Sequence, residues 1–319
     1  MRRNRVKVAG SAYYHVMSRC ALQQFLLTEE AKEMFLKILR RAEIFSGVRV
    51  INYCVMDNHF HVLVHVPQRR EVPDDELDKR IRVLYGPDKA KRIRERWKML
   101  RELKAEKVIE REQAAYRKRM FDISEFMKTF KQRFSLWYCS NHGNIEGTIW
   151  QGPFHSVLIE GRRDALNAVS AYITLNPVRA KLVSRPEDYR WSAYGAATAG
   201  NRRARAALLS SYDEKFPLAE RCKAYASLIE TAMVVSGEEE AGAKPDATAD
   251  KTGKGGKQKV SVMRVRNRDI SRGVAFGAHK FVVATILAAS NTSEVLTFPK
   301  AFCLGEKLAP LFCAGRRGA

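Results

Sequence analysis

Two apolar runs separated by only two residues constrain this chain most. Val48 to Met56 and His59 to Val66 are rich in β-branched and aromatic side chains, with Asp57-Asn58 between them and Pro67 closing the second run. So short a connection returns the chain antiparallel to itself, so the pair is predicted to be a hairpin of two strands. Upstream, Gly10 to Ser18 alternates Tyr13, His15 and Met17 against Tyr14, Val16 and Ser18, the pattern of a further strand. Between them, Thr28 offers an N-cap with Glu29 and Glu30 behind it. Ala31, Met34, Phe35, Ile38, Ala42 and Phe45 recur at helical spacing, and Gly47 stops the run. Strand, helix and two strands joined by a tight turn make an α+β beginning.

The composition of the chain then changes. Residues 68 to about 120 are dominated by Lys, Arg and Glu, as in Asp88-Lys89-Ala90-Lys91-Arg92, and read as one or two exposed, mobile helices inserted into the domain. A solvated face is the plain expectation for them and a DNA-gripping arm the sharper one. Ile123 to Asn141 reads as a helix with Phe126, Phe130, Phe134 and Trp137 on its apolar side and Lys128, Lys131 and Arg133 elsewhere. Thr148 to Glu160 reads as another strand. Asp164 caps one more helix, which Pro177 halts at or near Asn176. The expected organisation is a catalytic domain over 1–198, a short helical region over 199–235, a disordered linker over 236–259 and a basic extension of unassigned role over 260–319.

Overall charge and cysteine usage narrow the function. The sequence has no run of eighteen uncharged apolar residues, and the basic start Met1-Arg2-Arg3-Asn4-Arg5 lacks the apolar stretch of a signal peptide. Six cysteines (Cys20, Cys54, Cys139, Cys222, Cys303 and Cys313) are scattered without a C-x-x-C pair, which speaks against a zinc ribbon or a disulfide scaffold. The expected home is a reducing cytoplasm, with no membrane partner. Fifty-seven Lys and Arg against thirty-five Asp and Glu leave a net charge of +22, an excess that attracts polyanions, nucleic acid first among them.

Two places carry residues suited to chemistry. His59-Phe60-His61 lies on a predicted strand, where alternation sends His59, His61, Leu63 and His65 to one face. Two imidazoles so placed can share a metal ion, although a lone H-x-H is more often a pair of polar residues at a core edge. His65, two pleats beyond His61, is too far along to join them. The second place is Tyr172-Ile173-Thr174-Leu175-Asn176-Pro177, where Tyr172 and Asn176 stand one helical turn apart. A phenolic oxygen attacks a phosphodiester only when positioned and when its charge is compensated, which a divalent cation achieves. Asn176 could offer that ion a neutral carbonyl. The alternative is that Tyr172 is a half-buried core aromatic and Asn176 a C-terminal cap.

Taken together, His-apolar-His on a strand, Tyr-x-x-x-Asn on a later helix and Asn176-Pro177-Val178-Arg179-Ala180 resemble the HUH single-tyrosine transposases, in their REP-associated tyrosine transposase branch. Tyr14-His15-Val16, Ser18-Arg19, Lys131-Gln132-Arg133-Phe134, Gly147 to Gly152 and Asp188 to Tyr194 support the resemblance, which covers most of 10–68 and 121–196. It implies a ferredoxin-like antiparallel sheet backed by helices, with Mg²⁺ or Mn²⁺ held by His59, His61 and Asn176 and Tyr172 as nucleophile. Attack would leave a 5′-phosphotyrosine link and a free 3′-OH, without ATP, on hairpins of single-stranded DNA from extragenic palindromic repeats. The partner so implied is single-stranded or hairpin DNA, bound by a monomer or homodimer.

One departure stands out: where the family has Gly-Arg-Phe-Lys, this chain has Gly152-Pro153-Phe154-His155 and so lacks two cations. Lys128, Lys131, Arg133, Trp137, Tyr138 and Arg179 are the expected DNA contacts, with Trp137 and Tyr138 beside Lys131 and Arg133 as a single-strand stacking platform. Tyr138, with His142 one turn on, is the competing tyrosine, expected to pack or stack rather than react. Two function classes follow: an active nicking and strand-transfer enzyme, or a non-catalytic, domesticated DNA-binding relative that recognises repeat hairpins.

Overall fold

The computed structural model describes residues 7–8, 10–143, 148–240, 275–278, 280–282, 284–285, 300–302 and 311–314. The chain forms two compact units: one comprises Lys7–Ile51 and Val55–Phe154, the other Asn52–Cys54 and the described residues from His155 onward.

The first unit is built on β1 (Ala12–Arg19), α1 (Glu29–Ser46), β2 (Arg49–Val55) and β3 (His59–Val66). The strands lie in the order β2-β3-β1, and β1 runs antiparallel to β3 with Arg19 opposite His59 and Ala12 opposite Val66. The Asp57-Asn58 turn is closed by the Met56 amide donating to the His59 carbonyl at 2.8 Å, as its two-residue length requires. Thr28 accepts from the Ala31 amide and Gly47 terminates α1 in the left-handed conformation, both at the predicted places. Behind the sheet, Phe60 meets Phe35, Phe130 and Trp150 edge-on, with centroids 4.9, 5.8 and 5.7 Å away. Phe35, Phe60, Phe130 and Phe134 are fully buried, each stabilising the fold by roughly 1.5–3 kcal/mol relative to an exposed side chain. Phe130 and Phe134 come from α5 (Ile123–His142), which starts on the Asp122 cap.

The charged stretch after β3 differs from expectation. It forms three helices, α2 (Asp74–Tyr85), α3 (Pro87–Glu102) and α4 (Glu106–Arg117), around a core of their own. Leu77, Ile81 and Leu84 of α2, Ala90, Trp97 and Leu100 of α3, and Ile109 of α4 are buried against Phe45 at the end of α1. The segment is therefore more than a solvated face, because apolar residues spaced by three, four or seven suffice for a helical interface however many charges intervene. Several arginines tie the module down. Arg80 donates to the Ile44 and Phe45 carbonyls that end α1, and Arg69, where the chain enters, donates to the Arg117, Lys118 and Met120 carbonyls where it leaves.

In the second unit, β4 (His155–Ile159) is followed by α6 (Arg163–Thr174), α7 (Asn176–Arg179), α8 (Ala193–Thr198), α9 (Arg202–Leu208) and α10 (Leu218–Glu240). Among the described residues, short strands follow at β5 (Ala275–Ala278), β6 (Lys300–Phe302) and β7 (Leu311–Ala314). β4 pairs parallel with β5, β5 antiparallel with β7, and β7 antiparallel with β6. The α+β class holds, with the parallel β4–β5 pair making the sheet mixed. The strand expected over 148–160 is confined to His155–Ile159, and Trp150 forms only an isolated bridge to Cys20. Asp164 lies inside the first turn of α6 rather than at its cap, which is Arg162. The helix ends at Thr174, and Pro177 begins the separate turn of α7, where a missing N–H costs nothing. The expected 199–235 helical region is α9 and α10, and α10 runs on to Glu240; the remainder of the expected linker, 241–259, lies outside the described residues, as does most of 260–319. Among the described residues no helix is long and apolar enough to cross a membrane.

Gly47 is where the helical module returns to α1: the Phe121 amide donates to the Ser46 carbonyl, and a Cβ at position 47 would sit 2.5 Å from the Phe121 ring. With φ at +74° as well, Gly47→Ala is expected to cost about 1–3 kcal/mol, read as a lowered midpoint in urea unfolding. An unchanged midpoint would show that neither the ring nor the backbone constrains this position.

Candidate functional site

The register of β1 and β3 assembles one face from two strands. Residues opposite one another in an antiparallel pair share a face, so Tyr13, His15, Met17 and Arg19 stand with His65, Leu63, His61 and His59. The predicted same-face placement of His59 and His61 is therefore observed, with ring centroids 5.1 Å apart and planes at 85°. His61 is buried and His59 half-buried. His65 is engaged elsewhere, stacked on Tyr13 at 4.5 Å and hydrogen-bonded to Ser11 Oγ.

A third histidine completes the group. His15 Nε2 lies 2.9 Å from His61 Nδ1, and the two rings stack at 5.1 Å in a buried setting. One of the two nitrogens must carry the proton and the other accept it, so His15 fixes the tautomer and orientation of His61. In the sequence, His15 stood out only as a supporting residue of the resemblance. The signal was available in the alternation of β1, but its place diagonal to His61 depends on the register.

Burial lowers the pKa of His59 to about 4; the Arg19 guanidinium acts in the same direction, and Asp57 opposes them. His59 is thus a neutral imidazole at neutral pH, the form that ligates a cation. Its Nδ1 lies 2.7 Å from Asn58 Oδ1. Among the described residues no group of three or more His, Cys, Asp or Glu is arranged to hold a metal ion. The candidate donors on this face, among the described residues, are His59 and His61, with His15 bonded to the latter. Two imidazoles on one face, His61 oriented by a third, fit a divalent transition metal better than an all-oxygen cation would.

Of the basic and aromatic residues expected to contact DNA, those on α5 do not form one exposed platform. Tyr138 is buried and stacks on His142 with centroids 4.1 Å apart. Its place follows from the four-residue steps Phe126, Phe130, Phe134, Tyr138, so it, rather than Trp137, continues the apolar stripe. Trp137 is half-buried and tilts against Phe134. Lys131 donates to Ser18 Oγ at 2.9 Å and to the Gly152 carbonyl at 2.7 Å, and lies over the Trp150 ring. Arg133 stacks on Tyr85 instead of on a neighbour of its own helix. Lys128 is exposed.

In the other unit, α6 carries Tyr172, which is only 7% exposed. Asn176 Nδ2 donates to the Tyr172 carbonyl at 2.8 Å, so Asn176 does act as a C-terminal cap. That bond occupies the amide nitrogen and makes Oδ1 the atom Asn176 would offer a ligand. Arg179 donates to the same carbonyl and sets its guanidinium over the Tyr172 ring, 5.1 Å from the centroid. The opposite face of α6 is held by a polar network. Asn52 Nδ2 donates to the Ser170 carbonyl and hydroxyl and to Thr174 Oγ1, and the Tyr225 hydroxyl bonds both Ser170 and Thr174. Burial raises the pKa of Tyr225, keeping its proton in the network.

Residues 9–105 match the model of a family described as transposase, IS200-like. That stretch contains His15, His59 and His61 and ends within the charged helical module, before Tyr172 and Asn176. No curated protein matches the chain. Among solved structures, a REP-associated tyrosine transposase bound to a REP hairpin is 15% identical, with a TM-score of 0.36, covering 63% of this chain and 86% of that one. A transposase candidate of Deinococcus radiodurans R1 is 13% identical, with a TM-score of 0.26, covering 57% of this chain and 92% of that one. Neither is close enough to bear on the site.

The Tyr225 network makes the α6 anchor measurable. Tyr225→Phe keeps the ring and removes the hydroxyl that joins Ser170 to Thr174, and is expected to destabilise the protein by about 1–2 kcal/mol in chemical denaturation. A variant as stable as the parent would mean that Asn52 alone satisfies both groups.

Proposed function

We propose that this chain, whose residues 9–105 carry the IS200-like transposase pattern, nicks single-stranded DNA and transfers strands through a tyrosine linkage. The observation that carries the proposal is the His59–His61 pair on one face of β3, with His59 neutral and His61 oriented by His15, inside the stretch that matches the transposase family. Histidines at a core edge with no ligand to bind need no third imidazole to set their tautomer.

In this reading Tyr172 Oη attacks the scissile phosphorus. The new bond joins phosphorus to the phenolic oxygen, the old bond to the 3′ oxygen breaks, and that oxygen leaves as a 3′-OH. The Arg179 guanidinium over the Tyr172 ring offsets negative charge as the phenol loses its proton. His59, His61 and Asn176 would hold Mg²⁺ or Mn²⁺, which when bound supplies positive charge to the phosphate oxygens. His15 keeps His61 in one tautomer, so its role is positioning. The substrate class proposed is hairpin DNA with single-stranded flanks, as in extragenic palindromic repeats, and the net charge of +22 suits a polyanionic partner.

Incubation of the protein with end-labelled hairpin DNA and Mn²⁺, followed by a denaturing gel, tests the proposal. Wild type is expected to form a covalent adduct and Tyr172→Phe to form none while still binding the hairpin; Tyr138→Phe, altered at a buried packing residue, retains the adduct. An adduct that survives in Tyr172→Phe and vanishes in Tyr138→Phe would assign the chemistry to the wrong tyrosine. Hairpin binding by wild type with no adduct under any metal would favour the non-catalytic alternative. Separately, His15→Ala is expected to weaken Mn²⁺ binding about 10- to 100-fold in calorimetric titration. Unaltered affinity would make the His15–His61 contact simple packing.

A further inference from the structure

The helical module over 68–120 neutralises many of its cations in pairs. Arg70 and Arg80 meet Glu76, Arg94 meets Asp78, Arg96 meets Glu112 and Arg117 meets Asp74. One place departs from this habit. Around the ring of Tyr85, at the end of α2, stand Arg133 of α5, Lys89 of α3 and Arg119 after α4, with Arg133 Cζ 4.5 Å, Lys89 Nζ 4.9 Å and Arg119 Cζ 6.0 Å from its centroid. Arg119 also lies over Phe45 and donates to the Tyr85 hydroxyl and to Thr129 Oγ1. None of the three forms an ion pair with a carboxylate among the described residues.

Three cations drawn to one ring repel each other, and a half-buried setting screens that repulsion less than open water does. Burial lowers the pKa of Arg133, Arg119 and the exposed Arg41 of α1 act in the same direction, and Tyr85 opposes them. An anion seated among these groups would relieve the repulsion, and the ring, already covered by cations, leaves a phosphate rather than a base as the fitting guest. Arginine suits such a guest because its planar fork can grip two phosphate oxygens at once.

We propose that Lys89, Arg119 and Arg133, gathered on Tyr85, form a site for a backbone phosphate of the DNA strand, built jointly by the inserted helices and α5. The inference deepens the DNA-processing reading above and rests on it. It gives the insertion a function distinct from a free arm: the inserted helices supply Lys89 and the ring and hold Arg119 beside Arg133.

The test measures affinity of the full-length protein for a labelled DNA hairpin with single-stranded flanks over a range of salt, with thermal melts showing that each variant is folded. Arg133→Gln and Lys89→Gln are expected to bind several-fold more weakly. Each phosphate no longer neutralised should flatten the slope of log affinity against log salt by about 0.7, the increment for a single strand. Lys107→Gln, an equal change of charge at an exposed position of α4, should bind as wild type does. Methylphosphonate placed in turn along the strand should weaken wild type at one or two positions and leave Arg133→Gln indifferent there.

Wild-type affinity and slope in both Tyr85-site variants, with hairpin binding and adduct formation intact, would overturn the phosphate site alone. Absence of hairpin binding in wild type would overturn the DNA-processing reading and the site with it. Preference for RNA of the same sequence over the DNA would do the same. Displacement of the hairpin by millimolar inorganic phosphate, in wild type and not in Arg133→Gln, would assign the site to a free phosphate instead of a strand.

Discussion

The pairing of β1 with β3 is the constraint on which the first unit depends. The two-residue turn at Asp57-Asn58 fixes where β3 begins, and the β1 register then sets Arg19 opposite His59 and Tyr13 opposite His65. Side chains alternate with a period of two, so a slip of one residue in β3 would turn Phe60 out of the aromatic core and drive His59 and His61 into it. Both halves of that exchange are unfavourable. Phe60 would part from Phe35, Phe130 and Trp150, and the imidazoles would be buried without the partners they now have. Core packing on one face therefore enforces the histidine geometry on the other.

The inserted helices show how a strongly charged segment still makes a core. Few apolar residues are needed when they recur at helical spacing, and Trp97 buries its ring while giving its indole N–H to Glu112. The surface charges are then sorted by geometry, many of them paired. Surface pairs of this kind contribute little individually, about 0–1 kcal/mol, so the module is held by its apolar contacts and by arginines that cap exposed carbonyls. The group around Tyr85 differs because its cations are drawn to aromatic rings and hydroxyls instead of carboxylates.

In the second unit the helix bearing Tyr172 is fixed from two sides of its own surface. Asn52 Nδ2 and the hydroxyls of Tyr225, Ser170 and Thr174 bond one another inside the core, where an unmade hydrogen bond would be expensive. At the end of the helix, Asn176 and Arg179 both use the Tyr172 carbonyl. The backbone of Tyr172 is thus pinned by the same residues that the resemblance assigns to function.

Much of this was legible in the sequence. Thr28 and Gly47 bounded α1, alternation and a two-residue turn specified the β2–β3 hairpin, and the period of two put His59 and His61 on one face. Each of these follows from interactions within a few residues, which sequence order alone controls. Tertiary structure decided the rest. The contact of His15 with His61 spans 46 residues and needs the register of two strands. Phe45 was recognisable as an apolar helix position, but the partners it packs against lie in a segment whose charges hid a helical stripe. Tyr138, not Trp137, continues the buried face of α5, and Arg133 leaves its own helix to stack on Tyr85. Such outcomes depend on which surface arrives from elsewhere in the chain, and local periodicity restricts which residues share a face without saying what that face will meet.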